Sequence, residues 1–343
     1  MHIDLPPLPT EQLLIEHLPN LGGRRALVVS PGRAQLATHL LAEHGYELVT
    51  AWYLDLFAAA VAGQNCDPSV TIACSADLPT DEVDLVAIPV LKKGEAELTR
   101  DLMQQAHERL CDGGYLAASV NNPTDQWLHE QMRVMFAKVT CQRTDTGCVY
   151  WGKKSGPLKK FKSFECQFSF RDEGKTIHAI SRPGVFSHRR LDGGARQLML
   201  SAEIGEADQV LDMGCGAGTV SLSSAFKTTA RVIGVDSNAR AIECVTRGAE
   251  LNGLQNVTAE LNADGRIALD EPIDLALANP PYFGDDGIAA HFVDTCISAL
   301  RPGGALLVVT KQPNWYGAYF ERILEDIVIF ESSQYFVACG RKP

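Results

Sequence analysis

The stretch Gln209–Thr219 constrains the fold of this chain more than any other. It begins with an apolar run that is typical of a buried parallel strand, and this run ends at the acid Asp212. Glycines then recur at every second position, at Gly214, Gly216 and Gly218. They predict a tight turn from a strand into a helix, where the backbone can approach a ligand closely. The spacing is not the G-x-G-x-x-G pyrophosphate fingerprint, so the turn indicates another kind of nucleotide-like ligand.

Two further strand-like runs also lead to acids. Arg231–Asp236 ends in an acid about 20 residues beyond the glycine turn, the spacing expected of a carboxylate that binds a ribose diol. Val257–Leu261 precedes Asp264, an acid placed to accept a hydrogen bond from an adenine amine. Strand, glycine turn, helix, strand and acid in this order predict a doubly wound α/β domain that binds an adenosine-containing ligand.

The run Ile273–Ala278 leads directly into the motif Asn279-Pro280-Pro281-Tyr282. A planar exocyclic amine is a poor nucleophile, because its lone pair is delocalised into the ring. An Asn oxygen and a Pro carbonyl can accept from its two N–H groups and hold the nitrogen in line for attack. Prolines stiffen such a loop, and Tyr282 offers a face on which a base can stack. The motif predicts a site that activates an amine; its plainer interpretation is a Pro-Pro turn at a strand end.

The composition describes an ordinary globular chain that is long enough for two domains, with 343 residues of which 45% are hydrophobic. Its ten cysteines are scattered, which predicts reduced thiols and no metal site. Met1–Thr10 is proline-rich without an apolar core, and no apolar run approaches the length of a membrane span. The sequence therefore predicts no signal peptide, no membrane association and a cytoplasmic location.

The two halves of the chain repeat one order of elements. Arg25–Ser30 corresponds to Gln209–Asp212, and Val83–Ile88 corresponds to Ile273–Ala278. The repeat predicts a duplicated domain. In the first copy, Ser-Pro-Gly-Arg replaces the acid and the three glycines, and Ile-Pro-Val-Leu-Lys-Lys stands where Asn-Pro-Pro-Tyr should be. The first copy is therefore predicted to bind no cofactor, and to act as a structural partner or as an RNA-positioning platform.

Charge is distributed unevenly. The chain carries −11 in total, but residues 151–200 alone carry +7. Lysines from Lys153 to Lys162, with glycine and proline between them, predict a basic linker that is either solvated or in contact with RNA. The predicted domains are residues 1–150, a linker at 151–164 and a catalytic domain at 165–343.

Taken together, these motifs resemble the bacterial family of ribosomal RNA small-subunit methyltransferase C and large-subunit methyltransferase G, within the class I S-adenosylmethionine methyltransferases. The resemblance covers nearly the whole chain and is closest at Gly184–Asp192, Asp212–Gly218, Asp236 and Asn279–Tyr282. It implies two tandem Rossmann-like α/β domains, each with a seven-stranded, mostly parallel sheet and the first degenerate. It implies that S-adenosylmethionine is the cofactor and that guanine N2 of ribosomal RNA is methylated.

The resemblance also assigns roles to residues. Asn279, Pro280, Pro281 and Tyr282 would hold the target base. The residues assigned to the cofactor are Phe186, Asp192, Asp212, Gly214, Cys215, Gly216, Gly218, Asp236, Ser237, Asp264 and Asn279. The expected partner is ribosomal RNA or an assembling ribosomal subunit, bound by a monomer.

Two departures leave the methyl acceptor open. The family commonly has Asn-Pro-Pro-Phe-His, whereas Tyr282 and Phe283 follow the prolines here. Asn-Pro-Pro-Tyr is also usual in adenine-N6 and glutamine-N5 methyltransferases, although the latter carry a short helical N-terminal domain. A non-catalytic RNA-binding or ribosome-assembly factor is the alternative from another class.

Overall fold

A computed structural model describes residues 5–281 and 286–343. The chain divides into two compact units, Met1–Phe164 and Glu165–Pro343, called unit 1 and unit 2 below. No helix in the described ranges is both long and apolar enough to cross a membrane.

Unit 1 alternates strands with helices. Its helices are α1 (Pro9–His17), α2 (Gln35–Glu43), α3 (Leu56–Gly63), α4 (Ala96–Arg109) and α5 (Trp127–Met135). Its strands are β1 (Arg25–Val29), β2 (Leu48–Tyr53), β3 (Thr71–Cys74), β4 (Val83–Val90), β5 (Leu110–Val120), β6 (Val139–Arg143) and β7 (Cys148–Lys153).

Unit 2 begins with a hairpin of β8 (Cys166–Asp172) and β9 (Lys175–Ser181). Its remaining strands are β10 (Val210–Met213), β11 (Val232–Asp236), β12 (Val257–Leu261), β13 (Ile273–Ala278), β14 (Leu300–Thr310), β15 (Glu325–Ser332) and β16 (Tyr335–Arg341). Its helices are α6 (Gly193–Ser201), α7 (Thr219–Ala225), α8 (Ala239–Leu251), α9 (Asp286–Ala299) and α10 (Pro313–Phe320).

The two large sheets have the same topology. The strand order is β3-β2-β1-β4-β5-β7-β6 in unit 1 and β12-β11-β10-β13-β14-β16-β15 in unit 2. The last two pairings of each sheet are antiparallel, namely β5 with β7 and β7 with β6 in unit 1, and β14 with β16 and β16 with β15 in unit 2. The predicted pair of mostly parallel seven-stranded Rossmann-like domains is confirmed.

The buried strands explain why this fold forms. All four residues of β10 are buried, and the apolar side chains of β13 pack on both faces of the sheet. Strands covered by helices on both faces require nearly continuous apolar runs, which is the pattern found in the sequence. Because β10, β11 and β13 are parallel neighbours, their carboxyl ends meet at one edge, where doubly wound sheets bind ligands.

The basic linker predicted at residues 151–164 begins inside a strand, which corrects its first boundary. Trp151 pairs with Ala117 and with Thr140 in the sheet, so β7 extends to Lys153. A side chain at Gly152 would collide with Phe136, so this glycine is needed for packing and does not mark a linker.

Candidate active site

The glycine loop between β10 and α7 is built from three left-handed residues. The φ angles of Gly214, Gly216 and Gly218 are +76°, +53° and +77°, values that favour glycine. A side chain at Gly214 would collide with Phe292, and the Cβ of one at Gly218 would lie 2.9 Å from Val245. At Gly216, by contrast, the nearest atoms to an added Cβ belong to Phe186, 3.9 Å away. An added Cβ at Gly216 would therefore make only ordinary van der Waals contact, so the loop has room beside this residue.

Asp212 lies buried beneath this loop. Its Oδ2 accepts hydrogen bonds from the Ser221 backbone N–H at 2.9 Å and from the Ser221 hydroxyl at 2.5 Å. Burial raises the pKa of Asp212 to about 7, against the lowering effect of the Ser221 bonds. The carboxyl group thus holds the first turns of α7, and direct contact with a cofactor stays a prediction.

Asp236 fastens the glycine loop to the end of β11. One carboxylate oxygen accepts from the Gly216 N–H and the other from the Asn238 N–H, both at 2.9 Å. The predicted ribose acid therefore lies against the part of the loop that has room for a ligand. Ser237 is half-buried next to it, and the thiol of Cys215 is buried, which raises its pKa well above the usual value.

Residues that the sequence analysis missed hold a second segment beside the loop. Asn238 donates from Nδ2 to the Gly184 carbonyl at 2.7 Å, and the buried Arg240 donates to the Pro183 carbonyl at 2.8 Å. These bonds tie the turn that carries Phe186 to the start of α8. Phe186 is 60% exposed, and its Cβ lies 3.9 Å from where a Cβ at Gly216 would be. The predicted pocket wall is thus adjacent to the glycine loop.

Asn279 follows β13 and is paired with Asp192. Its Nδ2 donates to Asp192 Oδ2 at 3.0 Å, and the same oxygen accepts from the Ala195 N–H at 3.0 Å. Asp192 is the N-cap of α6, so a helix start fixes the carboxylate that orients the amide. Because the amide nitrogen faces the carboxylate, Oδ1 of Asn279 points the other way.

The other residues of this motif differ in burial. Pro280 is buried and Pro281 is exposed, whereas Tyr282 lies outside the described residues. Tyr335 borders the same region, because its hydroxyl would lie 3.0 Å from a Cβ at Gly193. Burial and the nearby Asp192 carboxylate both raise the pKa of Tyr335.

Asp264 is exposed in the turn after β12. Its carboxylate accepts from the Arg266 N–H at 2.9 Å, and contact with an adenine amine stays a prediction. The neighbouring Asn262 is buried instead. Its N–H donates to the Asp236 carbonyl, and its Oδ1 accepts from the Gly265 N–H. Asn262 therefore shapes this turn, a role that the sequence analysis missed.

In unit 1, side chains of the unit itself occupy the space beside the equivalent loop. In unit 1, Val29 pairs with Trp52, as Met213 pairs with Val235 in unit 2. Gly32 therefore occupies the position of Gly216, and Tyr53 occupies the position of Asp236. The Tyr53 hydroxyl donates to the Gly32 carbonyl at 3.1 Å. A side chain at Gly32 would collide with the carboxylate of Glu11, which belongs to α1.

Within residues 5–281 and 286–343, no cluster of three or more His, Cys, Asp or Glu side chains could hold a metal ion. The sheet order of unit 2, its glycine loop after β10 and the Asn-Pro-Pro motif after β13 together define a class I S-adenosylmethionine-dependent methyltransferase.

The family model "Methyltransferase small domain" matches residues 176–339. A ribosomal RNA small subunit methyltransferase C from Alcanivorax borkumensis is 24% identical over 95% of this chain and 97% of its own length. The enzyme of that name from Hahella chejuensis is 31% identical over 47% of this chain, a match that spans 48% of that relative. The chain thus matches about half the length of several curated relatives.

A solved structure described as the T. thermophilus 16S rRNA N2 G1207 methyltransferase in complex with AdoMet and guanosine is also similar. It has a TM-score of 0.80 at 23% identity, over 98% of this chain and 92% of that chain. The chain belongs to the family of ribosomal RNA small subunit methyltransferase C and large subunit methyltransferase G.

Proposed function

We propose that this protein transfers a methyl group from S-adenosylmethionine to an exocyclic amine, and that the amine is N2 of a guanine in ribosomal RNA. The observation that carries the proposal is the orientation of Asn279, whose Nδ2 is held by Asp192 at 3.0 Å. In this orientation the amide oxygen would accept a hydrogen bond from an amine at the end of β13, beside β10 and its glycine loop.

The residues present fit the cofactor. Space beside Gly216 and the carboxylate of Asp236 at the same loop suit an adenosine group, and Phe186 lies next to Gly216. When bound, S-adenosylmethionine supplies an electrophilic sulfonium methyl group. The protein's own task is to bring a nucleophilic nitrogen to it in line and to exclude water.

Asn279 and the Pro280 carbonyl would each accept one N–H of the amine. Such acceptors favour the more tetrahedral form of the nitrogen, in which its lone pair is available for attack. No strong general base is required, since the proton can leave after transfer. A base inside a helix cannot reach these groups, so the target guanine must be splayed or flipped out. Tyr282 would stack on it.

Guanine is favoured over adenine or a glutamine amide by the similarity that extends over both units. The relative matched over 95% of this chain is named a ribosomal RNA small subunit methyltransferase, and the structurally similar T. thermophilus enzyme is described as acting on N2 of a 16S guanine. We further propose that the protein acts as a cytoplasmic monomer on ribosomal RNA or an assembling subunit.

We also propose that only unit 2 binds the cofactor and that unit 1 serves the RNA. Support comes from the unit 1 loop, where Tyr53 stands in the position of Asp236 and Glu11 lies against Gly32. Calorimetry on the full chain should give one binding site for S-adenosylmethionine. A second site that survives Gly216→Val would contradict the assignment.

The decisive experiment is single-turnover methylation of rRNA or immature subunits from a strain that lacks the protein. Mass spectrometry of the nucleosides distinguishes N2-methylguanosine from N6-methyladenosine. Asn279→Ala should lower the rate by roughly 10²–10³-fold, the usual effect of losing one preorganised polar group, with cofactor affinity nearly unchanged. Asn65→Ala, at an exposed asparagine of unit 1, is the control. A wild-type rate for Asn279→Ala would refute the mechanism.

A further inference from the structure

A groove on unit 1 combines positive charge with apolar side chains. It has a volume of about 370 Å³ and lies among α4, α5 and the segment that follows β7. We call it the basic groove and define it by the cations Arg100, Lys159, Lys160 and Lys162 and by the apolar residues Met103 and Val134. Its volume falls within the range of roughly 300–1,000 Å³ that is usual for ligand clefts.

The backbone of the lysine segment is fixed to α4. Gln104 donates from Nε2 to the Lys162 carbonyl at 2.9 Å, and its Oε1 accepts from the Lys162 N–H at 2.8 Å. The side chain of Lys162 lies over the ring of Phe164, with Nζ 4.9 Å from its centroid. This segment is therefore held in one place, which a solvated linker would not be.

The lysine run does not act as one unit. Lys153 lies over the ring of Tyr115, and Lys154 donates to the Leu110 carbonyl at 2.5 Å, so both serve the end of β7. Lys159, Lys160 and Lys162 are exposed and line the basic groove. Only these three lysines of the run are placed to meet a ligand there.

The fourth cation, Arg100, is oriented from α5. Its Nε donates to Gln131 Oε1 at 2.9 Å, and its guanidinium lies 5.4 Å from the centre of the Trp127 ring. Among the described residues, none of the four cations of the basic groove is ion-paired with a carboxylate. Four uncompensated cations in a chain of net charge −11 attract a polyanion to this surface.

Apolar groups between the cations favour a single strand over a duplex. Val134 lines the groove and is 80% exposed, and Phe161, which is not part of the lining but lies between Lys160 and Lys162 in sequence, is 48% exposed. Cations that contact phosphates, together with aromatic side chains such as Phe161 on which bases stack, are the usual surface for single-stranded nucleic acid. A duplex presents only its phosphates and would leave these apolar side chains uncovered.

We propose that the basic groove binds an unpaired segment of RNA and so holds the substrate through unit 1. The inference rests on the proposed function for the identity of the polyanion. It assigns to the otherwise degenerate unit a site that is separate from the cofactor loop and from Asn279.

The test measures binding of the full-length protein to a fluorescein-labelled oligouridylate at several salt concentrations. Lys159→Ala/Lys160→Ala should flatten the slope of log affinity against log salt by about 1.4, since each phosphate contact to a single strand contributes about 0.7. The matched control is Lys92→Ala/Lys93→Ala, which removes the same charge from exposed positions of unit 1 outside the groove. An equal effect of the control pair would overturn the proposal.

A second pair of variants separates charge from folding. Val134→Glu and Val134→Gln place side chains of similar size at the most exposed apolar position of the groove, but only Glu adds a negative charge. Glu should weaken RNA binding more than Gln does. The proposal would be overturned if the two variants bound the RNA with equal affinity. It would also be overturned if the substitutions weakened the binding of a duplex RNA to the same extent. If an acidic protein bound the Glu variant more weakly than the wild type and the RNA did not, the partner of the groove would be that acidic protein.

The outcome for the groove is independent of the outcome for the reaction. If the wild-type protein methylates RNA and all groove variants keep their RNA affinity, the groove inference alone fails. If no exocyclic amine is methylated, the proposed function fails, whatever the groove binds.

Discussion

The side-chain amide of Asn279 and the carboxylate of Asp192 are joined by one hydrogen bond of 3.0 Å across 87 residues of sequence. Asp192 also caps α6 through the Ala195 N–H. The orientation of the amide proposed to hold the acceptor amine is therefore set by the start of a helix. Asp192 is a positioning residue in this arrangement, in addition to any part it has in walling the cofactor pocket.

Asp192→Ala should lower kcat by about 10²-fold, because a small displacement of a positioning group is enough for such a loss. Asp192→Asn should restore most of the rate, since its side-chain oxygen can still accept from Ala195 and Asn279. Asp55→Ala, which removes the N-cap of α3 in unit 1, is the control for a lost helix cap. Steady-state methylation assays would separate kcat from KM. Equal kcat values for the Ala and Asn variants would contradict the positioning role.

Gly216→Val should abolish cofactor binding, because the side chain would fill the space beside the loop. The residue has a φ of +53°, so the substitution also strains the backbone by about 1–2 kcal/mol. Gly253→Val carries the same kind of strain, at φ +67°, in open space away from the site. Calorimetry with S-adenosylmethionine should show binding by the Gly253 variant only. Wild-type affinity in the Gly216 variant would place the cofactor elsewhere.

Asp236→Ala should weaken cofactor binding by about 1–3 kcal/mol, the cost of leaving polar partners unpaired at a buried site. It also releases the N–H groups of Gly216 and Asn238. Asp208→Ala frees the Gly205 N–H in a comparable way outside the loop and serves as the control. The dissociation constants from calorimetry decide the matter. If they do not change, another group holds the ribose.

The fold could be predicted because its signals are local. Continuous apolar runs such as β10 and β13 are what parallel strands buried on both faces require. Strand β6, which the sequence analysis did not assign, lies at the sheet edge, where half-exposed strands give weak patterns. Gly152 shows the same limit. The glycine, proline and lysine content around it indicates a linker, whereas the residue must be glycine because a side chain would collide with the ring of Phe136.

The site could be predicted only where each of its parts is a short motif directly after a strand. The glycine turn, Asp236 and Asn279 each follow a strand, so their positions at one edge follow from the topology. Contacts such as Asn238 to Gly184 and Arg240 to Pro183 join segments more than 50 residues apart. Which segments fold against each other depends on tertiary packing, which no local pattern contains.

The carboxyl group of Glu11 in unit 1 is buried. It lies beside Gly32, and within the described ranges its Oε2 has no hydrogen-bond partner. Burial raises its pKa from 4.5 to about 7. The folded state therefore holds the proton more tightly than the unfolded state, and the associated stability is complete below pH 4.5. It is lost as the pH rises towards 7, by about 3 kcal/mol.

Glu11→Gln removes this titration and keeps the size of the side chain, so its free energy of unfolding should lack the loss seen in the wild type. Burial lowers the pKa of His44 and His107, which changes stability in the opposite direction, so the difference between wild type and variant isolates Glu11. Three of the four tryptophans lie in unit 1, and Trp315→Phe in both proteins makes fluorescence specific for that unit. Denaturant titrations from acid to neutral pH measure the difference. If it is constant with pH, the Glu11 carboxyl is not held protonated by the fold.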